Sequence, residues 1–158
     1  SVPAFPLLGE PGEWDALTLG AATTLLEAEG EPEPGQAGVI WVAGNRMVLH
    51  GQDLKTVLLG PDRRAYGDDK PFEPWSCWNL DYRARAMTRL AGAGAVTWAW
   101  KSAAAGLFRL GSDPTSGATH YLNIPLTRKG RPKGDLPSWV DLSKTTVVIG
   151  RHTFLRLG

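Results

Sequence analysis

The sequence predicts an α+β fold: one mostly helical domain with a small antiparallel sheet near the C-terminus. Apolar residues recur at helical spacing through the first two thirds of the 158 residues, whereas β-branched and alternating runs occur only near the end. The composition, 42% hydrophobic and 21% charged with no apolar run of about 18 residues, excludes a disordered or membrane-spanning chain. One cysteine, Cys77, excludes an intramolecular disulfide and a cysteine-based zinc cluster.

Proline and glycine in residues 1–13 predict an extended N-terminal arm, followed by a single domain over residues 14–158. The first helix is expected over residues 18–28, with Gly30 able to end it in a left-handed conformation. Asp53 is the expected N-cap of a short third helix. The further predicted helices cover residues 35–49, 53–60, 81–91 and 95–107.

The remaining segments are predicted as loops and strands. Residues 60–80 read as an irregular packed loop, and residues 127–138 as a basic loop with glycine and proline. A strand is expected within residues 118–123, and a hairpin is expected over residues 145–157, turning at Gly150.

Charge is divided unevenly along the chain. The first 45 residues contain seven acidic residues and no Lys or Arg, whereas the remainder holds 17 basic against nine acidic residues. This asymmetry suggests a polyanionic partner and a locally acidic site.

Glu27 is the most informative acidic residue. It falls in the last turn of the first predicted helix, where the helix dipole disfavours an anion, and Glu29, Glu31 and Glu33 follow it. These charges, together with partial burial, predict a carboxyl group that stays protonated nearer neutral pH, as glycoside cleavage requires. The alternative on charge alone is a solvated acidic loop.

Several motifs in order resemble the SleB-type cell-wall hydrolases, the spore-cortex-lytic family, over about residues 19–157. The matching segments are Glu27-Ala-Glu-Gly-Glu-Pro, Gly35-Gln36-Ala37, Asn45-Arg46, Ser76-Cys77-Trp78, Asp113-Pro-Thr-Ser-Gly-Ala-Thr-His-Tyr-Leu-Asn123, Trp139 and Ile149-Gly-Arg-His152 with Phe154. The sequence departs from the family pattern at Glu29, where the family usually has Arg, and at Leu25-Leu26, which replaces aromatic-Gly or Asn-Gly.

The resemblance implies a lysozyme-like catalytic domain over residues 14–158 that cleaves peptidoglycan between N-acetylmuramic acid and N-acetylglucosamine. Glu27 would be the catalytic acid and base, either of a lytic transglycosylase, which needs one carboxyl group, or of a muramidase. A hydrolase normally needs a second carboxylate, for which Glu31 and Asp113 are the candidates.

Further residues are candidates for binding the substrate. Strand alternation places Thr119, Tyr121 and Asn123 on one face, opposite His120, and we expect that face to form the cleft wall that holds acetamido groups. The remaining substrate-binding candidates are Gln36, Ser76 and Trp78, and both Trp78 and Trp139 could stack on sugars.

Two other functions remain open on the sequence. Cys77, His120 and Asn123 occur in the order that a cysteine peptidase or amidase of peptidoglycan would need. A non-catalytic cell-wall-binding module is the second alternative.

We expect no cofactor and no metal site, because His120 and His152 lack partners at metal-ligand spacing. The basic run over residues 128–133 is too small to predict a nucleic-acid partner. We expect a monomer that acts on peptidoglycan glycan strands without inserting into a membrane. The sequence shows no secretory signal and no wall-binding repeat, which favours a phage-type endolysin made in the host cytoplasm.

Overall fold

The structure is a computed structural model that describes residues 2–6, 9–60 and 75–158, with the backbone alone at residues 76, 80 and 81. The α-helices are α1 (Ala16–Ala28), α2 (Glu33–His50), α3 (Leu54–Leu59), α4 (Leu80–Ala93), α5 (Thr97–Leu107) and α6 (Ile124–Lys129). The strands are β1 (His120–Leu122), β2 (Thr145–Ile149) and β3 (His152–Leu155). The predicted α+β, mostly helical fold with a small sheet near the C-terminus is confirmed.

Capping residues explain where the early helices begin and end. Asp15 accepts a hydrogen bond from the Thr18 backbone N–H at 2.7 Å, and Asp53 accepts one from the Thr56 N–H at 2.8 Å. Each carboxylate satisfies an N–H group that has no partner within its helix. Helix α2 ends at Gly51 in the left-handed conformation (φ 64°) that glycine adopts without strain.

Helices α1, α2 and α5 form the core. At Gly106 of α5 the backbone of α2 comes so close that a Cβ atom would lie 2.6 Å from the Trp41 backbone nitrogen. A larger residue would therefore separate the two helices. The fully buried Leu19 and Leu25 of α1 and Ile40 of α2 fill this core.

The sheet packs against α2. Strand β3 lies between β1 and β2 and is antiparallel to both. Every residue of β3 is buried, and the ring of Phe154 lies where a Cβ atom on Gly38 of α2 would need space, 2.9 Å away. This contact fixes the position of the sheet relative to the helices that carry the site.

The N-terminal arm is in contact with the core. Phe5 is buried and stacks on Trp100 of α5, with ring centroids 5.5 Å apart. Directly after the arm, Trp14 is also buried and meets Trp78 edge to face. The arm therefore packs on the helical core at Phe5, and it ends in a short 3₁₀-helix, Pro11–Glu13, where an extended chain was predicted.

The structure differs from the sequence-based expectation after β1. Part of the predicted basic loop is helix α6, because Asn123 caps it by accepting a hydrogen bond from the Leu126 N–H at 3.1 Å. Most of the predicted 60–80 loop, residues 61–74, lies outside the described residues; Trp75 and Trp78 at its end are buried. Among the described residues, no helix has the length and apolar character needed to cross a membrane.

Candidate active site

Glu27 lies in the last turn of α1 at the side of a cleft of about 510 Å³. The cleft is formed where the end of α1 meets α2, β1, the start of α6 and the turn between β2 and β3. The residues that line it are Leu26, Glu27, Glu29, Val42, Arg46, Trp75, His120, Tyr121, Leu122, Asn123, Leu126, Thr127, Trp139, Arg151 and His152.

Burial raises the pKa of Glu27 to about 7, from an ordinary value of 4.5, and a hydrogen bond with the Cys77 side chain opposes part of this rise. The pKa is raised as predicted, but burial raises it and not the charges of the neighbouring acids. The neighbouring acids have their own cationic partners, because Glu29 pairs with Arg89 and Glu31 pairs with Arg151. Near neutral pH, much of the Glu27 population carries the proton that an acid catalyst must donate.

Tyr121 places a phenol in the same cleft. Its hydroxyl oxygen accepts a hydrogen bond from Trp75 Nε1 at 2.9 Å, and its ring lies 4.9 Å from that of His152. Burial and then the charge of Glu27 are the leading causes that raise the pKa of Tyr121 above its ordinary value. Tyr121 is therefore neutral at physiological pH, and its hydroxyl proton remains available to donate.

Arg46 supplies a positive charge to the cleft. Its guanidinium carbon lies 5.0 Å from the centroid of the Trp75 ring, a cation–π distance. Burial lowers the pKa of Arg46, and the interaction with Tyr121 opposes that shift. Arg46 was not among the binding residues predicted from the sequence. Its place one turn from the end of α2, on the face of Val42, brings it into the cleft.

Four of the predicted site residues, Glu27, Tyr121, Asn123 and Trp139, line the cleft. Asn123 uses its side-chain oxygen to cap α6, which leaves its NH₂ group as a donor. The side chain of Ser76 lies outside the described residues, so its predicted binding role stays a prediction.

Three other predicted binding residues lie elsewhere. Trp78 is 0% exposed and its indole N–H donates to the Thr23 hydroxyl at 3.0 Å, so the expectation that it stacks on a sugar is wrong. Gln36 lines a separate depression beside Thr97 and Trp98, away from the cleft. Thr119 is buried, and its hydroxyl accepts a hydrogen bond from the Leu157 N–H at 2.9 Å, so it anchors the C-terminal segment instead of forming the cleft wall.

Strand alternation misplaced His120 because β1 is only three residues long and ends inside the cleft. His120 and Tyr121 both line the cleft, although a long strand would send them to opposite faces. The cleft residues Arg151 and His152 also went unassigned as binding candidates. The signal that could have found them was the Gly-Arg-His turn, which the fold brings to the end of α1.

Both candidates for a second catalytic carboxylate already have other hydrogen-bond partners. The side chain of Glu31 is 2% exposed and accepts hydrogen bonds from Arg151. Burial alone would raise the pKa of Asp113, but hydrogen bonds from Asn45, Thr115 and Gly117 lower it overall. Neither residue lines the cleft.

The geometry does not support a cysteine-peptidase site formed by Cys77 and His120. A hydrogen bond of the Cys77 side chain involves Glu27, and Cys77 does not line the cleft. His120 has its Nδ1 atom 2.9 Å from the Thr119 hydroxyl. Within the described part of the chain, no three His, Cys, Asp or Glu residues are grouped closely enough to hold a metal ion.

Comparison of the chain with protein-family models, curated proteins and solved structures found no match. The chemistry of the cleft is therefore the evidence on which function rests: a buried carboxylic acid beside a neutral phenol, a histidine and an arginine.

Proposed function

We propose that the protein cleaves the glycan strands of peptidoglycan as a lytic transglycosylase, with Glu27 as the single acid and base. The observation that carries this proposal is the position of Glu27, a carboxyl group on the cleft whose pKa burial raises to about 7. An unperturbed Glu with a pKa of about 4.3 would already have lost the proton that the leaving sugar oxygen needs.

The reaction uses the Glu27 carboxyl group twice, first as an acid and then as a base. Glu27 first donates it to the oxygen between N-acetylmuramic acid and N-acetylglucosamine as the bond from that oxygen to C1 of the muramic residue breaks. The resulting carboxylate then accepts the proton of the muramic C6 hydroxyl while that oxygen bonds to C1. The products are a 1,6-anhydromuramic end and a free N-acetylglucosamine end, and Glu27 is protonated again.

In the part of the chain that the structure describes, no second carboxylate on the cleft is free of a cationic partner, and this favours the lytic route over hydrolysis. Among the described residues, the only other carboxylate that lines the cleft is Glu29, which is paired with Arg89. Glu31 and Asp113 are held by the hydrogen bonds given above. A hydrolase normally needs a second carboxylate as nucleophile or as the base for a water molecule, whereas a transglycosylase does not.

Tyr121 and Asn123 are proposed to orient the reacting sugars. The Tyr121 hydroxyl accepts from Trp75 and can donate to a substrate oxygen or to the carboxylate that forms on Glu27. The Asn123 NH₂ group can donate to an acetamido carbonyl. Each is neutral, so neither competes with Glu27 for its proton.

The resemblance to SleB-type enzymes supports the same function, because its motifs supply Glu27, Arg46, Tyr121, Asn123, Trp139 and His152 to one cleft. With it we propose a lysozyme-like fold and a phage-type endolysin as the biological setting. The excess of basic residues after residue 45 would favour association with an anionic wall polymer.

The test is digestion of purified peptidoglycan by the wild type, Glu27→Gln and Cys77→Ser, with products identified by mass spectrometry. We expect 1,6-anhydromuramic ends from the wild type and from Cys77→Ser, and none from Glu27→Gln. Full glycan cleavage by Glu27→Gln would contradict the proposal. Free stem peptides that disappear with Cys77→Ser would identify a peptidase instead, reducing muramic ends would identify a hydrolase, and binding without cleavage would identify a wall-binding module.

A further inference from the structure

A second group of cleft residues lies on β1 and on the segment after α6: His120 and Trp139. Their ring centroids are 5.5 Å apart with the planes tilted by 39°, and Trp139 is 45% exposed. Both residues line the same cleft as Glu27. An exposed tryptophan ring next to a polar ring offers an apolar face and a hydrogen-bonding group side by side.

We propose that His120 and Trp139 form a sugar subsite of this cleft, in which an N-acetylhexosamine ring stacks on Trp139 and accepts a hydrogen bond from His120 Nε2–H. The choice of sugar rests on the proposed function. The arrangement of hydrogen bonds around His120 supports the donor role.

The protonation pattern of His120 follows from Thr119. The buried Thr119 hydroxyl oxygen accepts a hydrogen bond from the Leu157 N–H at 2.9 Å and lies 2.9 Å from His120 Nδ1. A hydroxyl group has one proton to donate. Among the described hydrogen bonds, His120 Nδ1 is the acceptor within reach of the Thr119 hydroxyl proton. The proposal therefore assigns the Thr119 hydroxyl as the donor and Nδ1 as the acceptor.

In a neutral imidazole, a proton donor at Nδ1 places the ring's own proton on Nε2. The imidazole is neutral at physiological pH because burial, followed by the charges of Arg46 and His50, lowers the pKa of His120 to about 4. His120 therefore keeps an N–H group that the Thr119 contact leaves unused.

Asn123 gives the subsite a second donor. Its side-chain oxygen is occupied by the Leu126 N–H, so its NH₂ group is the part left for a ligand. Two neutral donors beside an exposed indole ring suit acetamido and hydroxyl oxygens. The hydroxyls and amides of an N-acetylhexosamine provide such acceptors, and the apolar face of the sugar ring covers the indole.

The test is the binding of a soluble β-1,4-linked N-acetylglucosamine hexamer to the full chain, measured by titration calorimetry. Every protein carries Glu27→Gln to prevent turnover. We expect Trp139→Ala to raise Kd by about tenfold or more and His120→Ala to raise it by about three- to tenfold. His120→Gln should keep most of the affinity, because its amide can still donate. Phe108→Ala, which removes an exposed ring outside the cleft, should change nothing.

Unchanged affinity in both Trp139→Ala and His120→Ala would overturn the subsite, as would the absence of binding to the parent protein. Circular dichroism and the Tm of each variant separate loss of binding from loss of the fold. The ¹⁵N shifts of the His120 imidazole give a second readout: we expect the Nε2-protonated form, and the Nδ1-protonated form would contradict the donor role.

The outcomes also separate the subsite from the proposed reaction. If the hexamer binds through Trp139 and His120 but the wild type cleaves no glycan, the subsite stands and the transglycosylase proposal fails. If glycan is cleaved and the two substitutions leave Kd unchanged, the reaction stands and the subsite fails.

Discussion

The carboxylate of Glu31 accepts two hydrogen bonds from Arg151, one from its backbone N–H at 3.0 Å and one from Nε at 2.9 Å. These residues are 120 positions apart in the chain. Arg151 also donates to the Glu29 backbone carbonyl at 3.0 Å, so the β2–β3 turn is fastened to the segment that directly follows Glu27. We call this set of contacts between Glu31 and Arg151 the Glu31 clamp.

Breaking the Glu31 clamp should reduce stability. Because Glu31 is buried and Arg151 is largely exposed, we expect Glu31→Gln to lower the free energy of unfolding by about 1–3 kcal/mol in urea denaturation. Glu29→Gln is the matched control: it breaks an exposed ion pair with Arg89 and should cost less than about 1 kcal/mol. Equal losses in the two variants would show that the clamp contributes no more than a surface pair.

Gly106 controls the distance between α2 and α5. A Cβ atom there would lie 2.6 Å from the Trp41 nitrogen and 2.7 Å from the Ile40 carbonyl carbon, which are backbone atoms that cannot rotate away. We expect Gly106→Ala to destabilise the fold by about 2–3 kcal/mol in thermal or urea unfolding. Gly92→Ala on α4, where a Cβ atom meets nothing within 4 Å, should instead stabilise by about 0.5–1 kcal/mol. A neutral Gly106→Ala would contradict this description of the helix contact.

The buried Glu27 carboxyl should make stability depend on pH. Its pKa is about 7 in the fold against 4.5 ordinarily, so the folded state holds this proton more tightly than the unfolded state does. The stability that this provides is complete below the unfolded pKa and is lost as pH rises through about 7, amounting to about 3 kcal/mol.

Glu27→Gln removes this titration and leaves the others in place. The stability of Glu27→Gln relative to the wild type should therefore increase between pH 4 and pH 8, by up to about 3 kcal/mol in urea denaturation. A difference that stays constant over this range would mean that Glu27 titrates like an exposed carboxyl.

The titration of Glu27 should also appear in the pH dependence of glycan cleavage. Because the acid step needs protonated Glu27, kcat/KM for glycan cleavage should fall about tenfold per pH unit above a pKa of about 7. His120, whose pKa is lowered to about 4, should not cause this limb, and His120→Gln should keep it at the same pH. A limb that disappears in His120→Gln would assign the titration to the histidine instead.

The sequence predicted what depends on local chemistry. Asp53 was identified as a cap, and the hairpin turns at Gly150 as expected. The first helix was predicted from residue 18 but begins at Ala16, because Asp15 caps it. The direction of the Glu27 pKa shift agrees with the prediction, but burial causes it, and the extent of that burial depends on tertiary packing.

Contacts between distant segments could not be read from the sequence. The sequence allowed Trp78 to line the cleft or to lie in the core. Its contacts with Thr23 and Trp14 show that its ring belongs to the core. The start of the predicted basic loop belongs to helix α6, because Asn123, which was predicted as a binding residue, also caps that helix. Arg151, the hydrogen-bond partner of Glu31, is 120 positions away in the sequence, so the Glu31 clamp could be identified only from the tertiary structure.

The most direct test of Glu27 as the catalytic acid is the titration of its carboxyl group, followed by ¹³C NMR in the 158-residue chain and assigned by its absence in Glu27→Gln. We predict a midpoint near pH 7, as an acid that protonates a glycosidic oxygen requires. A midpoint near 4.5 would contradict it, because Glu27 would then be an ordinary carboxylate throughout the pH range in which the cleft is expected to act.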